Sequence, residues 1–81
     1  MLTSYIEAAL RHATLERLPD DNTYYAEIPG FPGVWANAPA PYDCLKELRE
    51  VLEDWIVIRL RRNATLPVVD GLELSAEALS A

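Results

Sequence analysis

One cysteine and one histidine stand among 81 residues, and that scarcity removes several classes of protein at once. Cys44 has no partner for an internal disulfide, and neither residue sits in a spacing that holds zinc. Basic residues are also few. Seven Lys and Arg against 13 Asp and Glu give a formal charge of −6, which repels nucleic acid and favours a basic partner. No apolar run reaches the roughly 18 residues of a membrane span and no secretory signal pattern opens the chain, so the cytoplasm is the expected compartment. Glycine is limited to three, at Gly30, Gly33 and Gly71, and each follows a Pro or an Asp in a turn-forming pair.

Hydrophobic residues make up 51% and charged residues 25% of the chain, a balance that specifies a folded domain and excludes disorder. A core of this size is only marginally stable alone, and association is one way to support it. A single domain over residues 1–71, followed by a C-terminal tail over 72–81, is the expected organisation.

Leu2 to Ala13 carries Leu2, Tyr5, Ile6, Ala9, Leu10 and Ala13 at helical spacing, with Ser4 and Glu7 placed as a capping box. Thr14 to Leu18 and Thr23 to Ile28 alternate as strands, joined by the turn cluster Pro19-Asp20-Asp21-Asn22. The second strand puts Tyr24, Ala26 and Ile28 on one face, Tyr25 and Glu27 on the other. Pro29-Gly30-Phe31-Pro32-Gly33 reverses the chain while carrying one aromatic ring inward. Val34 to Ala38 then pairs back as a third strand. Pro39-Ala40-Pro41 ends the ladder, and Pro41 suits the first turn of the helix that follows. Leu66 to Val69 is a possible fourth strand, confined by Pro67 to an edge, and Asp70-Gly71 is a further turn.

The helix from about Tyr42 to Arg62 spans roughly 30 Å. Cys44, Leu48, Val51, Leu52, Trp55, Ile56, Ile58 and Leu60 occupy an arc of roughly 200°, wider than the stripe of about 100° that packing on one sheet uses. The excess points to a second apolar surface against another subunit or partner, or to cover by the chain's own tail. Val51, Trp55, Ile58 and Arg59 are the candidate residues of that interface. Arg59 falls inside the apolar arc, so it either snorkels past the sheet edge or pairs with an acid across an interface.

Three runs together carry a family resemblance: Tyr24-Tyr25-Ala26-Glu27-Ile28-Pro29-Gly30-Phe31-Pro32-Gly33-Val34-Trp35-Ala36, then Cys44-Leu45-Lys46-Glu47-Leu48-Arg49 with Val51-Leu52-Glu53-Asp54-Trp55, and finally Leu66-Pro67. With the opening Met1 to Ala9, they cover nearly the whole chain. In this order they resemble the HicB-like antitoxins, partners of the HicA toxins that cleave messenger RNA. The resemblance implies an α+β fold, a partial RNase H-like domain with an antiparallel sheet of three to four strands, one long helix packed on it and a short N-terminal helix. It also implies assembly into dimers or tetramers and the binding of a HicA-type toxin. The family's threonine before the helix is replaced here by Ala38-Pro39-Ala40, and a missing N-cap costs about 1 kcal/mol. A family member's DNA-binding module has no counterpart in the residues that follow the helix, so direct DNA binding is not expected.

No residue combination reads as an active site. His12 falls where a cation complements the carbonyl end of the first helix, and no partner in the sequence orients it for catalysis. Cys44 lies on the apolar arc as a small core residue. Glu16, Glu27, Asp43 and Glu47 do not form the converging carboxylates of two-metal nuclease chemistry, and Glu27 reads as solvent-facing. Arg59, Arg61 and Arg62 sit where the helix dipole favours cations. No cofactor and no enzymatic activity are expected. The leading reading is an antitoxin that binds and neutralises a small basic RNA-cleaving toxin. The alternative is an oligomeric binding or scaffold domain of the same fold without a toxin.

Overall fold

The chain order is helix α1 (Leu2–Arg11), strands β1 (Thr14–Leu18), β2 (Thr23–Glu27) and β3 (Trp35–Ala38), and helix α2 (Pro41–Arg61), in a computed structural model that describes residues 2–74. The fold is α+β, as expected: a three-stranded antiparallel meander in the order β1-β2-β3, with α2 packed over β3 and β2. Register pairs Leu15 with Ala26 and Ala26 with Ala36. Cross-strand neighbours share a face, so Leu15, Ala26 and Ala36 look toward the helix side, while Glu16, Tyr25 and Asn37 look away from it.

The two proline-glycine pairs between β2 and β3 fold as consecutive turns. Phe31 N–H donates to the Ile28 carbonyl and Val34 N–H to the Phe31 carbonyl, each at 3.1 Å. Gly30 and Gly33 take φ of 85° and 88°. Proline at the second position and a positive-φ glycine at the third define two type II turns. Their shared corner residue, Phe31, is buried as expected, with its ring 5.2 Å from that of Trp55 and 6.3 Å from that of Tyr5.

Helix α2 begins without a side-chain cap. Ala40 holds the N-cap position with extended backbone, Pro41 occupies the first turn, and Asp43 supplies the one acid there. The fixed φ of Pro41 and its missing N–H suit a position whose donor would be unpaired anyway. Cys44, Leu48, Leu52, Ile56 and Leu60 are buried at a strict spacing of four, so the stripe that meets the sheet is narrower than the apolar arc of the sequence. Burying one such Leu or Ile side chain contributes about 1.5–3 kcal/mol. Val51 and Trp55 flank the stripe half-buried, whereas Leu45, Val57 and Ile58 remain exposed.

Two sequence expectations are corrected. Ser4 and Glu7 do not form a capping box, because α1 already begins at Leu2 and Ser4 lies inside its first turn. Leu66 to Val69 does not add a fourth strand; it crosses to α1 instead, where the Tyr5 hydroxyl donates to the Pro67 carbonyl at 2.6 Å. Pro67 has no N–H for a ladder, and the chain turns back almost at once. Val69 and Leu72 exchange both backbone hydrogen bonds around Asp70 and Gly71, whose φ values are 50° and 78°, a two-residue I′ hairpin. Leu72 and Leu74 pack on the core. The rest of the expected tail, 75–81, lies outside the described residues.

Candidate functional site

Helix α2 repeats apolar residues every four positions, and a second periodic set accompanies them. Asp43, Glu47, Glu50 and Asp54 are spaced 4, 3 and 4 apart, which places their side chains on one face of the helix. That face borders β3. Glu47, Glu50, Val51 and Asp54 line one side of a groove of about 460 Å3 whose other side is Trp35, Ala36 and Asn37. A second groove of about 330 Å3 continues it past Ala38 and Pro39, bounded by Asp43, Lys46, Glu47 and Glu50. Thus β3 and α2 run side by side in opposite directions, with four carboxylates and one ammonium along the seam. Glu53 is not in this row; it pairs with Arg49 at 3.5 Å across one helical turn.

β3 is also an edge of the sheet: β2 pairs with it on one side only. Trp35 projects from it, 53% exposed, and stacks on Tyr25 with ring centroids 6.0 Å apart. Glu27, level with Trp35 in the register, is solvent-facing as expected. Lost hydration, then the charge and hydrogen bond of Glu27 and the charge of Glu16, hold the Tyr25 phenol above its ordinary pKa.

The four expected interface residues divide. Val51 lies in the acidic groove. Trp55 and Arg59 come together farther along the helix, the guanidinium 4.6 Å from the indole centroid. The Trp55 indole N–H donates to the Pro32 carbonyl at 3.1 Å, and Arg59 Nε donates to the Thr65 carbonyl at 3.2 Å. Within the chain an aromatic ring and a backbone carbonyl satisfy the Arg59 cation locally. Ile58 is 48% exposed and makes the apolar shoulder beyond Asp54. The sequence reading missed Trp35 and the aligned carboxylates as parts of one groove. Their 4-3-4 spacing was the available signal.

His12 and Cys44 complete the chemistry. Cys44 is buried, its thiol directed at the carbonyls of Tyr24 and Ala36 at 3.4 and 3.5 Å, and burial raises its pKa. His12 follows the last residue of α1 and meets a partner that sequence spacing did not reveal: its Nε2 is 2.7 Å from Asp70 Oδ1, and Arg11 approaches the other carboxylate oxygen at 3.6 Å. The hydrogen bond with His12, and the neighbouring Arg11 guanidinium, hold the Asp70 carboxyl below its usual pKa. The pair borders a pocket of about 330 Å3 whose remaining lining is proline, glycine, Phe31 and valine, so no hydroxyl or thiol there could serve as a nucleophile for a histidine base. Among the described residues no three of His, Cys, Asp and Glu gather as metal ligands, and no helix is long and apolar enough to cross a membrane.

Comparison with known proteins finds no match among curated sequences. A crystal structure of TTHA0281 from Thermus thermophilus is similar over 91% of each chain, at 38% identity and a TM-score of 0.85. Residues 4–67 match the family described as UPF0150-like, a stretch that takes in all three strands, the whole of α2 and all but the first two residues of α1. The chain belongs to the UPF0150-like family.

Proposed function

We propose that this chain is a HicB-like antitoxin, a non-enzymatic inhibitor that binds and neutralises a small basic HicA-type RNA-cleaving toxin. Membership of a family of small domains of this type supports the reading, as does the resemblance carried by the strand, turn and helix motifs. The observation that carries it is the alignment of Asp43, Glu47, Glu50 and Asp54 beside an open sheet edge. Carboxylates set in a row along a groove give a cationic protein a directional field, which speeds encounter and fixes orientation. Such a surface suits a protein whose own task is to hold RNA. The exposed Ile58, Val57 and Leu45 of α2 favour a homo-oligomer, a dimer or tetramer, as the form that acts.

Co-expression of the chain with a neighbouring small basic reading frame tests the reading. The expected result is a stable complex of fixed ratio in which RNA cleavage by the basic partner is suppressed. A chain that leaves the partner's cleavage untouched at excess overturns it. The exposed apolar residues of α2 also fit an oligomeric scaffold domain without a toxin, which self-assembles equally well but captures no basic protein.

A further inference from the structure

A three-stranded sheet has two edges, and here they differ in chemistry. β1 carries Leu15, Glu16 and Arg17, with Leu15 exposed on the helix side, so its edge is close to neutral. β3 exposes its backbone groups beside the carboxylates of α2. Unpaired edge groups are a template for another strand. A second copy of this chain docked edge to edge at β3 would set its own row of carboxylates against the first, an arrangement that like-charge repulsion opposes. A cationic strand meets no such penalty.

We propose that the β3 edge accepts an extended basic segment of the partner protein as a fourth strand. Alternate side chains of an added strand point to opposite faces of the sheet. Those on the helix side would be Lys or Arg and reach Glu47, Glu50 and Asp54; those on the other side would be apolar and cover Trp35. The lengths agree. Along the helix Glu47 and Asp54 are separated by a rise of about 10.5 Å and Asp43 and Asp54 by about 16.5 Å, while basic residues at i, i+2 and i+4 of a strand span about 13.5 Å. Val51, between the carboxylates, receives the methylene stems of those basic side chains. Main-chain pairing then supplies affinity and the charge row selects the sequence, the division of labour of strand addition.

The inference rests on the reading of this chain as an inhibitor of a basic protein, and the test keeps the two apart. The probe is a capped synthetic peptide of alternating lysine and valine, titrated into the full chain while amide hydrogen exchange is followed residue by residue. The expected result is slowed exchange at the outward-facing amides of Trp35–Ala38. A peptide N-methylated at every second residue, which keeps charge and side chains but cannot pair, should bind at least about ten-fold more weakly. The triple variant Glu47→Gln, Glu50→Gln, Asp54→Asn should weaken the unmodified peptide by about ten-fold or more at low salt. Equal binding of the N-methylated peptide, protection at β1 in place of β3, absence of binding, or β3 protection that grows with protein concentration alone would each overturn the proposal. If a basic toxin still co-purifies with the triple variant and leaves the β3 amides unprotected, this inference fails while the antitoxin reading stands. If the peptide protects β3 but no toxin is captured, the reverse holds.

Discussion

Replacing Trp55 by alanine removes three contacts at once, and their sizes can be worked out separately. Truncating a fully buried tryptophan costs about 3–5 kcal/mol. Trp55 is half-buried against Phe31, which brings the packing loss to about 2 kcal/mol. Its indole N–H bond to the Pro32 carbonyl contributes about 0.5–1.5 kcal/mol, and the stacked Arg59 about 0.5 kcal/mol at this exposure. These contributions overlap, so the expected loss is about 3 kcal/mol, a large part of the roughly 4–12 kcal/mol that a chain of this length holds. Thermal unfolding followed by circular dichroism should show Tm lowered by about 12–24 °C. Trp55→Phe keeps the ring contact and loses the donor, and should lower Tm by about 4–8 °C. Association raises apparent stability, so each variant is compared at two protein concentrations. A Trp55→Ala protein that melts within about 2 °C of the parent at both concentrations would refute the claim that this ring fixes the turn to the helix.

Three further outcomes follow from the same structure. Gly33→Ala should cost about 1–2 kcal/mol in urea unfolding, because its φ is 88° although a methyl group there would meet open space; an unchanged midpoint would contradict the type II turn. Asp70 has its pKa depressed by His12 and Arg11, so the stabilisation it provides is complete above its unfolded value near pH 4 and is lost as pH falls through its lower folded value. Asp70→Asn should therefore flatten the acid limb of a Tm-against-pH curve, and an identical limb would count against a stabilising role for the contacts of Asp70 with His12 and Arg11. Association with a basic toxin should slow by about ten-fold or more as salt rises from about 0.05 to 0.5 M while dissociation changes little; surface plasmon resonance showing a salt-independent association rate would remove charge from the account.

The order of elements was legible because each signal was local. Period-two alternation marked Thr23 to Ile28, one residue beyond the end of β2, and the prolines marked both the end of β3 and the start of α2. The double turn was readable from Pro-Gly pairs alone, down to the inward course of Phe31. What the sequence could not show were contacts between residues far apart in the chain. Leu66 to Val69 read as a possible edge strand, but the tertiary partner of Pro67 is the hydroxyl of Tyr5, 62 positions away. His12 and Asp70, 58 positions apart, gave no spacing to recognise. The width of the apolar arc was read correctly as more than the sheet uses. That Trp55 and Arg59 would spend part of the excess on the turn and on Thr65 depended on packing that periodicity does not encode.

The lacing of α1 to the segment after α2 has a consequence for the order in which the molecule comes together and apart. The meander and α2 join neighbours in sequence, so their loops close cheaply and early. α1 is different, because Tyr5, Arg11 and His12 find Pro67 and Asp70 only after everything between them exists. Its docking should therefore come late in folding and, by the same token, open early. Under native conditions the amides of α1 should exchange through a shallow local opening while those of β2 and mid-α2 wait for global unfolding. The first helix should thus behave as a clasp, closed by the segment that follows α2, and a protease that probes the native protein should find its earliest cut there.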